Sequence, residues 1–514
     1  MWNTISNSLL FYSQDFYNTN IYKNKKFIKQ IYFYYKNKGF RNIILTHITN
    51  ILISIFLFVL ILFLFNSIDY NHLFSVNENK KLSKFVNLNN LFKLNSFFIC
   101  TLISFIIFIT TKLLNLLEII YIYKKIKNFY NKNLQISDEE LKYMSWGSVI
   151  KNFENYTNEP LNIYKINSII LFYENYLNYL FTNKVINISH LTNLMEWNIQ
   201  YCILFQIFNE EDQNINLEQK KKNVYNRIKV IAIGNFIFMP FILVFILFYN
   251  IFNYGEQFYN HPSMLTNRDF TKNAFWKYRY YNELLDDYTE RLDKIKGYSD
   301  KYTNMFKNDY ISFVSNIIIF MLSSFFVILV FLSLVNDKIL ILVTVFNNKS
   351  IFWIIGILAS VITILKNSNI KEQEPRVLMR KIANDLYLDS DFVEKSNSVE
   401  IKNQFIKDYQ YKIVIILKDI VYTILTPFRL WLLSKDIDKI VYMIDKNISK
   451  NNNLNICSKA DFSDELFTKF VNNEYTYDKT IKSLEYFSEL NEEWYTYMIN
   501  KINGLTNEVT VNVI

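Results

Sequence analysis

Four apolar runs in the chain are candidates for crossing a lipid bilayer as helices. They are residues 43–65, 97–117, 311–335 and 351–365. The hydrocarbon core of a bilayer is about 30 Å thick and needs roughly 20 helical residues to span it. The second run contains a single charge, Lys112, near its end, and the last run is short and lies between Lys349 and Lys366. This pattern predicts an all-α membrane protein with four transmembrane helices.

Two further apolar runs are interrupted by proline and by polar residues. In residues 230–252 the interruptions are Gly234, Asn235 and Pro240. In residues 411–433 they are Lys418, Asp419, Pro427 and Arg429. Proline removes an intrahelical hydrogen bond, and a charge at the bilayer centre costs roughly 2.5–3.5 kcal/mol on insertion scales. We therefore expect two re-entrant helix pairs, buried against protein, rather than two lipid-facing crossings.

The distribution of basic residues predicts the topology. Seven precede the first run, namely Lys23, Lys25, Lys26, Lys29, Lys36, Lys38 and Arg41. The loop 66–96 has four, namely Lys80, Lys81, Lys84 and Lys93. Because basic residues concentrate on the cytosolic side, the N-terminus is predicted to be cytosolic. The basic stretch 253–310 stays cytosolic only if residues 230–252 do not cross, and four crossings then place both termini in the cytosol.

The predicted organisation follows from these runs. It comprises a cytosolic basic amphipathic segment (1–42), the first two transmembrane helices (43–120) with a lumenal loop (66–96), a cytosolic helical region (121–229), a re-entrant segment (230–252), cytosolic loops and helices (253–310), the third and fourth transmembrane helices (311–366), a cytosolic segment (367–410), a second re-entrant segment (411–433) and cytosolic C-terminal helices (434–514). Within the first cytosolic region, the sequence Ser137-Asp138-Glu139-Glu140 is typical of a helix start.

The segment before the first run has an amphipathic pattern. Apolar and aromatic residues fall largely on one helical face, namely Ile21, Ile28, Ile31, Tyr32 and Tyr35, while lysines occupy the others. Such a helix would lie in the headgroup layer of the membrane. The alternative is that it packs on the cytosolic face of the protein itself.

The composition favours a membrane protein and gives no support to an enzymatic function. Hydrophobic residues make up 51% of the chain and aromatic residues 18%, while the net charge of +9 suits contact with anionic lipid, although base composition explains part of it. The seven glycines are isolated, so no phosphate-binding loop can form, and the four histidines and three cysteines show no metal-ligand spacing. We expect no catalytic residues, no metal, no cofactor and no nucleic-acid partner.

Polar residues inside the apolar runs are the candidate functional residues. Lys112, Asn115 and Glu118 recur every three residues along the second run. The other candidates lie in the interrupted runs, namely Asn235, Lys418, Asp419, Thr423 and Arg429. Polar groups within a membrane usually face a bundle interior or a water-filled cavity, so these residues are candidates for lining a lipid path. The alternative is that they reach the interface or fix helix packing.

An ordered series of local motifs resembles the autophagy-related protein 9 family. The motifs are Asp15-Phe16-Tyr17, Ile21-Tyr22, Gly39-Phe40, Ile68-Asp69-Tyr70, Leu73-Phe74, residues 134–141 with Trp146, His190-Leu191-Thr192, Glu196-Trp197-Asn198, Trp276, Asn282-Glu283, Arg291-Leu292, Met305-Phe306, Tyr411-Lys412 and Thr426-Pro427. The resemblance implies a domain-swapped homotrimer with four spans and two re-entrant segments per protomer.

The resemblance also implies a function. Members of the family move phospholipids between leaflets without ATP and receive lipid from a bridge-like lipid-transfer protein during autophagosome growth. They are multi-pass proteins of the phagophore assembly site, Golgi-derived cytoplasmic vesicles and other endomembranes. Two alternatives stay open on the residues alone: an ion channel or carrier, which also needs polar residues in the membrane, and a structural vesicle component. The chain shows neither an acidic filter ring nor an inverted repeat.

Overall fold

The computed structural model describes most of the chain and divides it into two compact units. The described residues are 25–69, 86, 96–157, 163–186, 189–208, 217–260, 267–305, 309–335, 344–346, 349–366, 374–386, 388–451, 454–472 and 478–511. The units are Met1–Ile170 and Leu171–Ile514. The predicted fold class is confirmed in its main point, because the described residues are mostly helical.

The first unit contains five α-helices among its described residues. They are α1 (Lys25–Lys36), α2 (Phe40–Asn66), α3 (Ser96–Phe129), α4 (Trp146–Thr157) and α5 (Ile163–Ile170). A π-helical turn, Tyr130–Leu134, continues α3, and a 3-10 turn, Glu140–Lys142, precedes α4. The predicted helix start is present there, since the Ser137 backbone N–H donates to Glu140 Oε2 at 2.8 Å, and the Glu140 N–H donates to Ser137 Oγ at 3.3 Å.

The amphipathic helix α1 packs on the protein rather than lying free in the headgroup layer. Tyr34 stacks on Tyr130 with ring centroids 4.7 Å apart, and the Tyr130 hydroxyl donates to the Ile31 carbonyl at 2.9 Å. Tyr32 meets Trp146 edge to face at 5.0 Å. Burial of these rings, which supply large apolar area, decides between the two alternatives that the sequence left open.

Gly39 joins α1 to α2 in a backbone conformation that favours glycine. Its φ angle is 104°, and a Cβ atom there would lie 2.9 Å from Cγ of Asp138. The same Asp138 carboxylate accepts a hydrogen bond from the Tyr34 hydroxyl. Both the torsion and the close approach therefore require a residue without a side chain at this turn.

The second unit contains the remaining elements. Its helices are α6 (Phe172–Thr182), α7 (Asn193–Ile199), α8 (Phe205–Ile207), α9 (Leu217–Asn260), α10 (Lys272–Tyr278), α11 (Leu285–Met305), α12 (Asp309–Val335), α13 (Ile351–Lys366), α14 (Pro375–Leu386), α15 (Ser390–Glu394), α16 (Val399–Asp408), α17 (Lys412–Ile424), α18 (Thr426–Leu433), α19 (Ile437–Lys446), α20 (Asp464–Val471), α21 (Lys479–Leu490) and α22 (Glu492–Val511). A π-helical turn, Gln200–Leu204, and 3-10 turns at Ser434–Asp436 and Ser458–Ala460 complete the helical segments.

Short antiparallel strand pairs tie loops of this unit together. The strands are β1 (Arg268–Phe270), β2 (Thr344–Phe346), β3 (Lys349–Ser350), β4 (Tyr409–Tyr411), β5 (Ile448–Asn451) and β6 (Leu454–Cys457). Strand β1 pairs with β4, with Asp269 opposite Gln410. Strands β2 and β3 pair, as do β5 and β6. The β1–β4 pair places the start of α17 beside the segment that leads into α10.

The helices predicted to cross the membrane are present as α2, α3, α12 and α13. Three helical segments among the described residues are long and apolar enough to cross, namely Phe40–Asn66, Thr101–Leu134 and Leu217–Asn250. Shorter apolar stretches occupy Asn316–Phe331 and Ile351–Ile362. The number of crossings per chain stays a prediction.

The two interrupted runs differ in the structure. Residues 411–433 contain two helices, α17 and α18, which meet at Leu425 just before Pro427, so the helix pair expected there is present, and its re-entrant placement stays a prediction. Residues 230–252 do not form a helix pair, because they lie within the continuous helix α9, which includes Pro240. The expectation of a broken helix there was wrong. Proline deletes only one hydrogen bond of the ladder, and α17 and α18 both pack against α9.

Candidate functional site

The first two apolar helices form an antiparallel hairpin. Phe58 of α2 stacks on Phe105 of α3 with centroids 4.0 Å apart, and the Lys127 ammonium lies 5.6 Å from the Phe40 ring. Lys112 is seven residues beyond Phe105, so it lies level with about residue 51 of α2. The same step along the helices places Asn115 and Glu118 level with about residues 48 and 45.

The predicted stripe on α3 therefore lies at the depth of polar residues on α2. Lys112, Asn115 and Glu118 are each half-buried. The Lys112 ammonium lies 5.6 Å from the Phe108 ring and within electrostatic range of the His47 imidazole. We call this set, Lys112, Asn115 and Glu118 together with His47, the hairpin belt. The hairpin thus has charged and amide groups in the half that is nearer to Tyr123, where α3 contacts Phe33 of α1.

A second polar cluster joins α17 and α18 to the loop before α7. His190 Nε2 lies 2.7 Å from Asp419 Oδ1, and Arg429 Nη1 donates to the His190 carbonyl at 2.7 Å. The imidazole packs on the Tyr422 ring at 5.0 Å, and the Arg429 guanidinium lies 4.8 Å from the same ring. His190 is buried, whereas Asp419 is 37% exposed. We call these four residues the His190 cluster.

The structure places the other predicted residues around this cluster without bringing all of them into it. Thr423 donates to the Asp419 carbonyl at 2.6 Å, within its own helix. Lys418 points elsewhere, since its ammonium donates to Gln410 Oε1 at 2.8 Å. Asn235 lies on α9, and its buried Nδ2 has no hydrogen-bond partner among the described residues. The role of His190 had no local signal, because 229 residues separate it from Asp419.

The motifs of the central region build a polar core in the same unit. Arg291 forms a paired contact with Glu283, with Nε to Oε1 and Nη2 to Oε2 both at 2.8 Å. It also donates to the carbonyls of Asp385 at 2.7 Å and Tyr278 at 3.0 Å. Burial alone would lower the pKa of Arg291, but the Glu283 carboxylate raises it above the usual range. This pair connects α11 to α14 and to the loop that follows α10.

The other motif residues in this region are also structural. Asn282 has a φ angle of 58°, and Asn175 Nδ2 donates to its side-chain oxygen at 2.9 Å. Thr192 caps α7 by accepting from the Met195 N–H at 3.2 Å. Trp276 Nε1 donates to Glu196 Oε2 at 3.2 Å. These motifs therefore fix the backbone and the helix contacts of the core.

A buried lysine attaches the C-terminal helices to this core. The Lys479 ammonium, at the start of α21, donates to Asn178 Oδ1 at 2.6 Å, to Thr182 Oγ1 at 2.8 Å and to the Trp276 carbonyl at 3.0 Å. Burial lowers the pKa of Lys479 well below its usual range. The Lys277 carbonyl lies at 3.1 Å as a fourth acceptor, so each of the three donor hydrogens of the ammonium group has a partner.

Helices long and apolar enough to cross a bilayer, with helical segments of mixed polarity in the same chain, are typical of a helical membrane protein. The sequence model of the family described as autophagy protein ATG9 matches residues 17–463. The chain belongs to this family, and the resemblance inferred from the motifs is confirmed.

Individual relatives agree with this assignment. Autophagy-related protein 9 of Dictyostelium discoideum is 25% identical over 516 residues, which cover 93% of this chain and 73% of the relative. The proteins of Scheffersomyces stipitis and Candida albicans are 28% and 27% identical over 80% of this chain, which spans about half of their length (53% and 52%). The cryo-EM structure of Schizosaccharomyces pombe Atg9 covers 86% of this chain at 22% identity, with a TM-score of 0.65, and shows the same fold.

Proposed function

We propose that this chain is an ATP-independent phospholipid scramblase that acts in autophagosome formation. The observation that carries the proposal is the hairpin belt, which places Lys112, Asn115 and Glu118 level with about residues 45–51 of α2, the stretch that contains His47. A lipid headgroup cannot enter hydrocarbon without losing its hydrogen bonds to water. Polar groups within the membrane lower this barrier by supplying partners and water, while the acyl chains stay in lipid.

The His190 cluster supports the same function. Its carboxylate and guanidinium lie on α17 and α18, which are otherwise rich in apolar residues, and both contact the loop at His190. The proposed function needs no catalytic residue, metal or cofactor. Its proposed partners are phospholipids, two further copies in a homotrimer and a bridge-like lipid-transfer protein, with no nucleic acid. The proposed cellular locations of the protein are the phagophore assembly site, Golgi-derived cytoplasmic vesicles and other endomembranes.

Scrambling is testable with the purified full chain in liposomes that contain a fluorescent phospholipid in both leaflets. An impermeant quencher is expected to remove nearly all the fluorescence without ATP, because inner-leaflet lipid reaches the outer leaflet through the protein. Headgroup preference should be weak, since a polar groove distinguishes little beyond polarity. Empty liposomes serve as the control. Quenching that stops at the outer-leaflet share, together with an ion current, would favour the channel alternative.

The proposed topology, with both termini in the cytosol, has its own test. A glycosylation acceptor inserted near Asn87, in the predicted lumenal loop, is expected to be modified in cells. An acceptor inserted near Asn216, in the predicted cytosolic region, is expected to stay unmodified; both positions lie outside the described residues. Gel mobility before and after enzymatic deglycosylation measures the result. The opposite pattern at the two positions would contradict the topology.

A further inference from the structure

A polar face on the first apolar helix was not singled out from the sequence. Asn42, Thr46, Thr49 and Asn50 of α2 lie within an arc of about 100° around the helix axis. Together with Leu45 they line an open groove of about 300 Å³. We call these four residues the α2 polar face. Beyond Asn50, the next fifteen residues of α2 are apolar apart from Ser54.

The α2 polar face has hydrogen-bonding capacity that the described residues leave unused. The Thr46 hydroxyl donates to the Asn42 carbonyl at 2.7 Å, so its oxygen can still accept. The Thr49 hydroxyl and the Asn50 amide have no hydrogen-bond partner within the described part of the chain, and the Thr49 side chain is exposed. In water such groups are solvated. On a helix that crosses hydrocarbon they require a polar partner, which water, another protein group or a lipid headgroup can supply.

The charges around this face are of both signs and suit a zwitterionic group, because Glu118 lies level with about residue 45 of α2, between the cations described next. Lys112 lies level with about residue 51 and within electrostatic range of His47, which neighbours Thr46. Arg41, at the start of α2, is exposed. The Asn50 amide and the Thr49 hydroxyl can donate hydrogen bonds, and the Lys112 ammonium adds a positive charge at the same depth. The oxygens of a phosphate group that carries a polar substituent can accept from the amide and the hydroxyl and can also face the ammonium.

We propose that the α2 polar face binds the phosphate-bearing headgroup of a phospholipid inside the membrane. Asn50 is ten residues from Phe40, so the face extends about 15 Å along the helix, which is about half of the hydrocarbon core. The site therefore holds a headgroup that has left one leaflet and has not entered the other. Because the ligand is a phospholipid that is moving between leaflets, this assignment rests on the proposed function. It identifies the half of the lipid path through which the headgroup enters.

The site can be tested by cross-linking the full chain to lipid. The protein is reconstituted in phosphatidylcholine liposomes that contain a phospholipid with a photoactivatable diazirine on its headgroup. After illumination, mass spectrometry locates the adducts, and scrambling is measured on the same liposomes. The test variant is Thr46→Val with Asn50→Leu. The matched control is Thr110→Val with Thr111→Val, because these exposed hydroxyls of α3 bond only to their own helix, at the carbonyls of Ile107 and Phe108.

Adducts are expected on residues 41–50, at a yield at least fivefold lower in the test variant and unchanged in the control. Absence of adducts on this segment would overturn the assignment, even if scrambling persisted. Cross-links from this segment to a second copy of α2, in place of lipid, would also overturn it, because another protomer would then cover the face. Adducts in a protein that does not scramble would support the site and refute the proposed function.

Discussion

Replacing Arg291 by methionine is expected to destabilise the second unit by about 3–5 kcal/mol, the usual range when one partner of a buried ion pair is removed. The Glu283 side chain is fully buried and would lose its charged hydrogen-bond partner. The carbonyls of Asp385 and Tyr278 would each lose a donor as well. Thermal unfolding of the detergent-solubilised chain measures the effect as a lower midpoint.

Lys294→Met is the matched control for this substitution. It removes a cation from the same helix, α11, where Lys294 pairs with Glu290 at 2.9 Å and both side chains are well exposed. Exposed pairs of this kind contribute between zero and about 1 kcal/mol. The two variants should therefore differ clearly. Equal midpoints for both would show that the Arg291 pair does not hold α11 to α14.

Replacing Lys112 and Glu118 together by leucine is expected to reduce scrambling severalfold. The double change keeps the net charge and removes both ionic groups from the hairpin belt, so that less water and fewer polar partners remain for a passing headgroup. Both side chains are only half-buried, and no ion pair links either of them to another described residue. Folding should be maintained or improved, because apolar side chains suit an apolar helix. Initial rates of quenching in liposomes measure the change.

The control for this double variant is Glu139→Leu with Lys142→Leu. It removes the same two types of charge from exposed positions at the 3-10 turn, outside the apolar part of α3. Its scrambling rate should equal that of the parent. A Lys112→Leu/Glu118→Leu protein that assembles and scrambles like the parent would remove these residues from the lipid path and leave the scramblase function open.

The elements governed by hydrophobic runs could be predicted from the sequence. Helices α2, α3, α12 and α13 begin and end within a few residues of the predicted spans, except that α3 continues to Phe129. Its C-terminal extension carries Tyr130 to the buried position beside Tyr34. Hydropathy marks where a chain can enter lipid, but it contains no information on where a helix ends once the chain is in water.

Contacts between residues far apart in sequence could not be predicted. The amphipathic pattern of α1 indicated a face that needs burial, yet its partners Tyr130 and Trp146 are about 100 residues away. The two prolines differ for a related reason. At Pro427 the flanking residues Asp419 and Arg429 both contact His190, which holds two separate helices to one loop. Around Pro240 no comparable pair of contacts bends the chain within the described residues.

The unbroken length of α9 has a mechanical consequence. Its 44 residues extend about 66 Å, twice the thickness of the hydrocarbon core. Long helices adapt to thicker or thinner bilayers by tilting. A tilt of about 10° around the midpoint displaces each end by about 6 Å. Because α9 packs against α18 and α19 as a continuous rod, any such tilt of α9 reaches both as a lever movement and displaces α18, the helix that carries Arg429.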